Sequence, residues 1–172
     1  MVKPHLIKLD RHSGARSVSA NHWTLVLEPC DDPIPGHCII PLASWLERRD
    51  ELIGRDDIGV WFKPDDEPEA LGTAAADLPL IAVEFPSFTD GRGFSIGRLL
   101  RERYGFSGEL RAFGDVFKDT LCYLRRCGFD AFEIRADRDP HEALAGLDDF
   151  TEFYQGAVEP VQPLFRRRTG VV

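Results

Sequence analysis

The sequence predicts an α/β protein: a single domain of successive β-α units on a mainly parallel sheet, with an N-terminal hairpin along one edge. Three observations carry this. Five short apolar runs, Cys38 to Ile40, Ile58 to Phe62, Leu78 to Phe85, Gly108 to Phe113 and Phe129 to Ile134, are each followed by a turn and a helix-like stretch. The longest, Leu78 to Phe85, is almost unbroken, as in a strand buried on both faces. The connections are short, which suits parallel strands joined by right-handed crossovers. Such a sheet is either open and doubly wound or an incomplete barrel, and the pattern admits both.

The elements follow in order. Residues 1–36 read as an extended lead-in, with strands at Val2 to Leu9 and His22 to Leu27 that pair as the edge hairpin. In the second, Trp23, Leu25 and Leu27 alternate with Thr24 and Val26, the period of a half-buried strand. Residues 37–150 form the parallel core. After Cys38 to Ile40, Leu42, Trp45, Leu46, Leu52 and Ile53 fall on one helical stripe. Asp65, Asp66 and Glu67 with Pro68 open a weaker helix through Ala76. Ile96, Leu99, Leu100 and Tyr104 form a helical face closed by Gly105, a C-terminal cap. Asp115 is placed to cap a helix that carries Leu121 and Leu124 and stops at Gly128. Asp139-Pro140 marks the last helix start in the core, with a capping carboxylate and proline at the first helical position. Residues 151–172 are a polar tail, on the surface or disordered.

Composition narrows the function. A chain of 172 residues buries roughly 70% of its unfolded surface, enough for one domain. Its apolar runs are far shorter than the roughly 20 residues of a membrane span. His5, Lys8, Asp10 and Arg11 interrupt the start where a secretory signal needs an apolar stretch, so the expected compartment is the cytoplasm. Net charge of −8 argues against nucleic acid as a partner. Cys30, Cys38, Cys122 and Cys127 lack zinc, cluster or C-x-x-C spacing, so no metal is expected, and buried reduced thiols are. Cofactors stay unknown, with none implied by a motif.

The charge is uneven. Between Gly91 and Gly128, Arg92, Arg98, Arg101, Arg103, Arg111, Lys118, Arg125 and Arg126 outnumber the four carboxylates, a basic island in an acidic chain. Such an island either draws small anions or an acidic partner, or forms the solvated faces of two helices.

Ligands of parallel sheets bind beyond the carboxyl ends of the strands. At the first such end, Asp90-Gly91-Arg92-Gly93 leads into a helix. Gly91, Gly93 and Gly97 give G-x-G-x-x-x-G, one residue longer than the dinucleotide fingerprint. Free N–H groups there, with a bidentate grip from Arg92, suit an oxyanion. The structural alternative is a tight turn with φ > 0, capped by Asp90. At the second end, Arg111 and Asp115 are candidates for anion contact, Asp115 also for a helix cap or an acid–base group. At the third, Glu133 and Arg135 share a strand face and are expected to pair. No nucleophilic triad is present, and the scattered histidines read as surface residues.

Phe88-Thr89-Asp90-Gly91-Arg92-Gly93-Phe94-Ser95, Gly108-Glu109-Leu110-Arg111-Ala112, Gly114-Asp115-Val116 and Arg126-Cys127-Gly128-Phe129-Asp130-Ala131-Phe132 stand in this order, followed by the tail Pro163-Leu164-Phe165-Arg166-Arg167-Arg168. These words resemble the bacterial family of domain of unknown function 934, labelled as an oxidoreductase or accessory protein of sulfite reduction. Thr120 departs from it, standing where the family has glutamine. The resemblance implies a place in sulfate assimilation, because members are encoded beside sulfite reductase and phosphosulfate reductase. It carries over no catalytic residue. Two functions are therefore expected: an accessory protein that binds sulfite reductase or its electron donor, or an enzyme or binder of a small sulfur oxyanion at Arg92 and Arg111. A scaffold whose turns serve only folding is the third.

Overall fold

The computed structural model describes residues 5–28, 33–150, 152–158 and 164–168. Val2 to Pro4 of the expected first strand, the cysteine Cys30, and Pro163 of the expected tail lie outside these. Among the described residues, eight strands form one sheet in the order β2-β1-β8-β7-β6-β5-β4-β3. The strands are β1 (Leu6–Leu9), β2 (Arg16–Ser19), β3 (Thr24–Leu25), β4 (Cys38–Pro41), β5 (Ile58–Phe62), β6 (Leu80–Phe85), β7 (Glu109–Gly114) and β8 (Ala131–Glu133). From β3 to β8 all neighbours are parallel and sequential. A doubly wound sheet reverses its order at a switch point. Here the order never reverses, so right-handed crossovers put the helices that link these parallel strands on one face, the arrangement of a curled half-barrel.

The helices are α1 (Leu42–Glu47), α2 (Arg49–Leu52), α3 (Arg92–Glu102), α4 (Lys118–Arg126), α5 (Pro140–Ala143) and α6 (Leu164–Arg168). The stripe expected as one helix from Leu42 to Ile53 is divided at Arg48, whose φ of −116° and ψ of 21° leave the helical region. The stretch from Asp65 to Ala76 forms two 3-10 turns, Pro68–Ala70 and Gly72–Asp77. They are separated at Leu71, and Gly72 sits at φ +55°. Asp139 caps α5 as expected, accepting from the His141 N–H at 2.8 Å with Pro140 in the first position. Gly105 and Gly128 take positive φ after α3 and α4, as helix-ending glycines do.

Alternating side chains divide the sheet into two faces. Ile40, Val60, Phe62, Val83, Leu110 and Phe132 meet Trp45, Leu100, Leu121 and Leu124 of the helices in the main core. Ile39, Trp61, Leu80, Ala82 and Phe113 form a smaller cluster on the opposite, concave face. Trp23 and Leu25 close over it.

The N-terminal strands differ from the expected hairpin. β1 does pair antiparallel with β2, but it also pairs with β8 and so lies inside the sheet. The segment predicted as its partner, His22 to Leu27, supplies β3 at the opposite edge. Residues 20–23 alone join β2 to β3. They span at most about 18 Å between Ser19 and Thr24, whereas a flat eight-stranded sheet sets its edges about 34 Å apart. The sheet therefore curls until its edges approach, and residues 20–23 strap the opening. Two buried side chains on the concave face hold this segment: Arg111 donates to Asn21 Oδ1 of the strap at 2.9 Å, and Trp61 Nε1 to the Val26 carbonyl, just after β3, at 2.8 Å.

Candidate functional site

Loops after β6, β7 and β8 meet at the carboxyl end of the sheet, and backbone contacts fix their positions. The Asp115 N–H donates to the Phe85 carbonyl at 2.6 Å, and the Arg135 N–H to the Val116 carbonyl at 3.0 Å. Gly114 carries φ +100°, and a side chain there would collide with the Phe85 carbonyl, so glycine is needed for this approach.

Asp90 and Arg92 form one charged unit on this end. The Arg92 N–H and Nε both donate to Asp90 Oδ1, at 3.2 and 3.0 Å, and its NH2 to Asp90 Oδ2 at 2.7 Å. Its remaining NH1 binds the Asp65 carboxylate from the loop after β5. The Arg92 hydrogen bonds hold the Asp90 carboxyl below the usual carboxylate range. Gly91 has φ −91°, and neither it nor Gly93 takes positive φ. The reason for Gly93 and Gly97 is packing: a Cβ on Gly93 would sit 2.7 Å from the Phe85 ring, and one on Gly97 would enter the Phe129 ring. The glycine spacing thus seats α3 on the sheet.

Asp115 forms the second unit. It does not cap α4, which starts at Lys118 behind Phe117. There the Thr120 hydroxyl accepts from the Phe117 N–H at 3.3 Å and donates to its carbonyl at 2.7 Å. Thr120, the departure from the family pattern, thus helps to fix this helix start. Asp115 instead ties three strand ends together. Its Oδ2 accepts from the Phe88 N–H at 2.8 Å and its Oδ1 from Arg135 NH1 at 2.7 Å. Arg135 also chelates Asp137, with Nε and NH2 donating at 2.9 and 2.7 Å. The expected pairing of Glu133 with Arg135 is therefore replaced by these two aspartates. Arg135 lowers both carboxyls, chiefly through these hydrogen bonds.

Arg111 lies elsewhere. It is 1% exposed on the concave face, with Nε and NH2 donating to Glu109 Oε1 at 2.9 and 2.6 Å. Lys8 reaches the other Glu109 oxygen at 2.7 Å, and Glu133 stands 3.9 Å from Arg111. Burial pushes the Glu109 carboxyl up, but Arg111 and Lys8 together bring it below its ordinary value. The structure therefore brings Asp90 with Arg92, and Asp115 with Phe88 and Arg135, but keeps Arg111 apart from all of them.

The basic island is neutralised in the same way. Arg98, Arg103 and Arg125 pair with Glu102, Glu69 and Asp148. Arg101 is buried, donating to the Phe106, Gly108 and Gly128 carbonyls and to Asp130. Cys38, Cys122 and Cys127 are buried. Burial raises the Cys127 thiol to about 11, leaving little thiolate at neutral pH.

What the carboxyl end presents outward is Phe88, 60% exposed, with its ring 5.5 Å from that of Phe117. The Asp115–Arg135–Asp137 and Asp65–Arg92–Asp90 sets flank it. Sequence reasoning named Asp90, Arg92 and Asp115 but missed Asp65, Asp137 and Phe88. Asp137 was within reach, since Arg-x-Asp after a strand invites chelation across the turn. Asp65 comes from a loop 27 positions away and left no local trace.

A family model described as "Bacterial protein of unknown function (DUF934)" matches residues 59–165. The chain belongs to this family. The DUF934 match runs from β5 into α6 and contains Asp65, Asp90, Arg92, Asp115 and Arg135, while Asn21 and the strap precede it. No curated protein matches this DUF934 chain.

Proposed function

We propose that this protein is an accessory factor of assimilatory sulfite reduction, acting in the cytoplasm by docking onto sulfite reductase or its electron donor. The resemblance of its central segment to a family encoded beside that reductase supports the pathway. The observation that carries the mode of action is Phe88, exposed on a loop whose backbone is pinned by Asp115. An exposed aromatic residue with polar groups beside it is the composition of an interface core and its rim. The two sets hold four carboxylates, Asp65, Asp90, Asp115 and Asp137, against two guanidiniums, Arg92 and Arg135, so the face is net negative and favours a partner that presents positive charge, as in small salt-sensitive redox complexes.

Capture of a sulfur oxyanion by the Gly91-Arg92-Gly93 turn, as part of an oxidoreductase, has less support. An incoming anion has to displace Asp90 or Asp65 from Arg92 and receives no help from Arg111. The test is binding of the purified chain to sulfite reductase holoenzyme and to its electron donor, at low and at physiological salt. Association that weakens with salt is expected, and Phe88→Ala should weaken it about tenfold or more. No association with either protein at low salt contradicts the proposal.

A further inference from the structure

A second feature lies on the helical side, away from Phe88. On α4, Asp119, Cys122, Tyr123 and Arg126 recur at helical spacing on one stripe, which faces Asp149, Phe150, Glu152, Phe153 and Tyr154. Between them is a cavity of about 330 Å³, near the lower end of the range for small-molecule sites, about 300–1,000 Å³.

Its walls are aromatic. Tyr123, Phe150 and Tyr154 are exposed by 53, 66 and 78%. Phe153 supplies a fourth ring, with Arg126 stacked 4.2 Å above its centroid. Tyr123 is held from behind by Phe94, at 4.7 Å in an edge-on contact. Arg126 is equally fixed: its NH2 donates to the Gln155 carbonyl at 2.9 Å, and its own carbonyl accepts from Val158 at 3.1 Å. Yet its Nε–H is buried with no hydrogen-bond partner among the described residues. Leaving such a donor unmet is costly, so the position calls for an acceptor.

The rim carries Asp119, Asp149 and Glu152. Glu152 is engaged by Arg167 of α6. With Asp119, Asp149 and Glu152 against Arg126 and Arg167 the site keeps a net negative charge, which disfavours a ligand that brings more of it.

We propose that this cavity is a binding site for a small, planar heteroaromatic molecule that is uncharged or cationic and presents an acceptor to Arg126. The flat ring stacks on Tyr123, Phe150 and Tyr154, its acceptor meets the Nε–H, and the carboxylate rim excludes phosphorylated or carboxylated forms.

Caffeine is a suitable probe, being planar, uncharged and rich in acceptors without a donor. Theophylline acetate carries the same ring with an anionic arm. Titrating each into the isotope-labelled full chain and following the amide resonances tests the proposal. Caffeine should give saturable shifts centred on Tyr123, Arg126 and Tyr154, with theophylline acetate at least about fivefold weaker through repulsion by the rim. Tyr154→Ala, at a largely exposed position, should weaken caffeine about tenfold through lost stacking. Arg126→Lys, which keeps the charge and removes the Nε donor, should weaken it as well, and its spectrum reports whether the fold survives. The absence of saturable shifts, shifts unaffected by Tyr154→Ala or by a folded Arg126→Lys, or equal binding of the anionic analogue overturns the proposal.

Discussion

Arg111 is a guanidinium sealed inside a curled sheet, stabilised only because Glu109 and Asn21 satisfy it there. Removing one member of such a buried pair leaves the other uncompensated, at a cost of roughly 3–5 kcal/mol. Arg111→Met should therefore lower unfolding stability in urea by about 3 kcal/mol or more, and a loss under about 1 kcal/mol would show that Glu109 finds water or Lys8 instead. The same contacts set a pH dependence. Glu109, Asp90, Asp115 and Asp137 all have folded-state values below their unfolded ones. Their contribution is fully present above the unfolded carboxylate range and is lost as pH falls through the folded values. Urea midpoints should thus be level through neutrality and fall below about pH 4. Arg111→Met should flatten the part due to Glu109. Glu109 and Arg111 were legible as neighbours, because residues two apart share a strand face. Their burial was not, since it depends on the strap from Asn21, 90 positions away.

At the scale of elements, the β-α alternation was readable because each helix writes its core stripe locally, as Ile96 and Leu100 do on α3. Helix type was less so: proline and acidic residues before an alanine run suit an α-helix start, yet Gly72 at φ +55° leaves room only for 3-10 turns. The glycines of α3 allow a paired test. Gly97→Ala drives a methyl into the Phe129 ring and should destabilise by about 1–3 kcal/mol. Gly91→Ala meets nothing nearer than Phe94 at 3.7 Å and should change stability by no more than about 0.5 kcal/mol. Thermal or urea unfolding of the two variants checks both. Equal effects would mean that the glycines serve the turn, as an anion-binding loop requires, and not the packing of α3.

The order of the whole sheet lay beyond local pattern. His22 to Leu27 reads as a strand, but only the global curl decides that it pairs with β4 and leaves β2 at the far edge. Parallel, sequential order then has one functional consequence: the loops after β6, β7 and β8 converge and hold Phe88 outward among paired charges. Among the described residues no helix is long and apolar enough to cross a membrane, and the face built by these loops is the surface assigned to a protein partner. Hydrogen–deuterium exchange of the full chain, alone and with sulfite reductase holoenzyme or its electron donor at low salt, tests that assignment most directly. The account predicts slowed exchange in residues 86–92 and 115–117 on adding one of the two proteins, and clearly less slowing in Phe88→Ala at the same partner concentration. Unchanged exchange with both, or protection confined to the helical face around Tyr123, would contradict it.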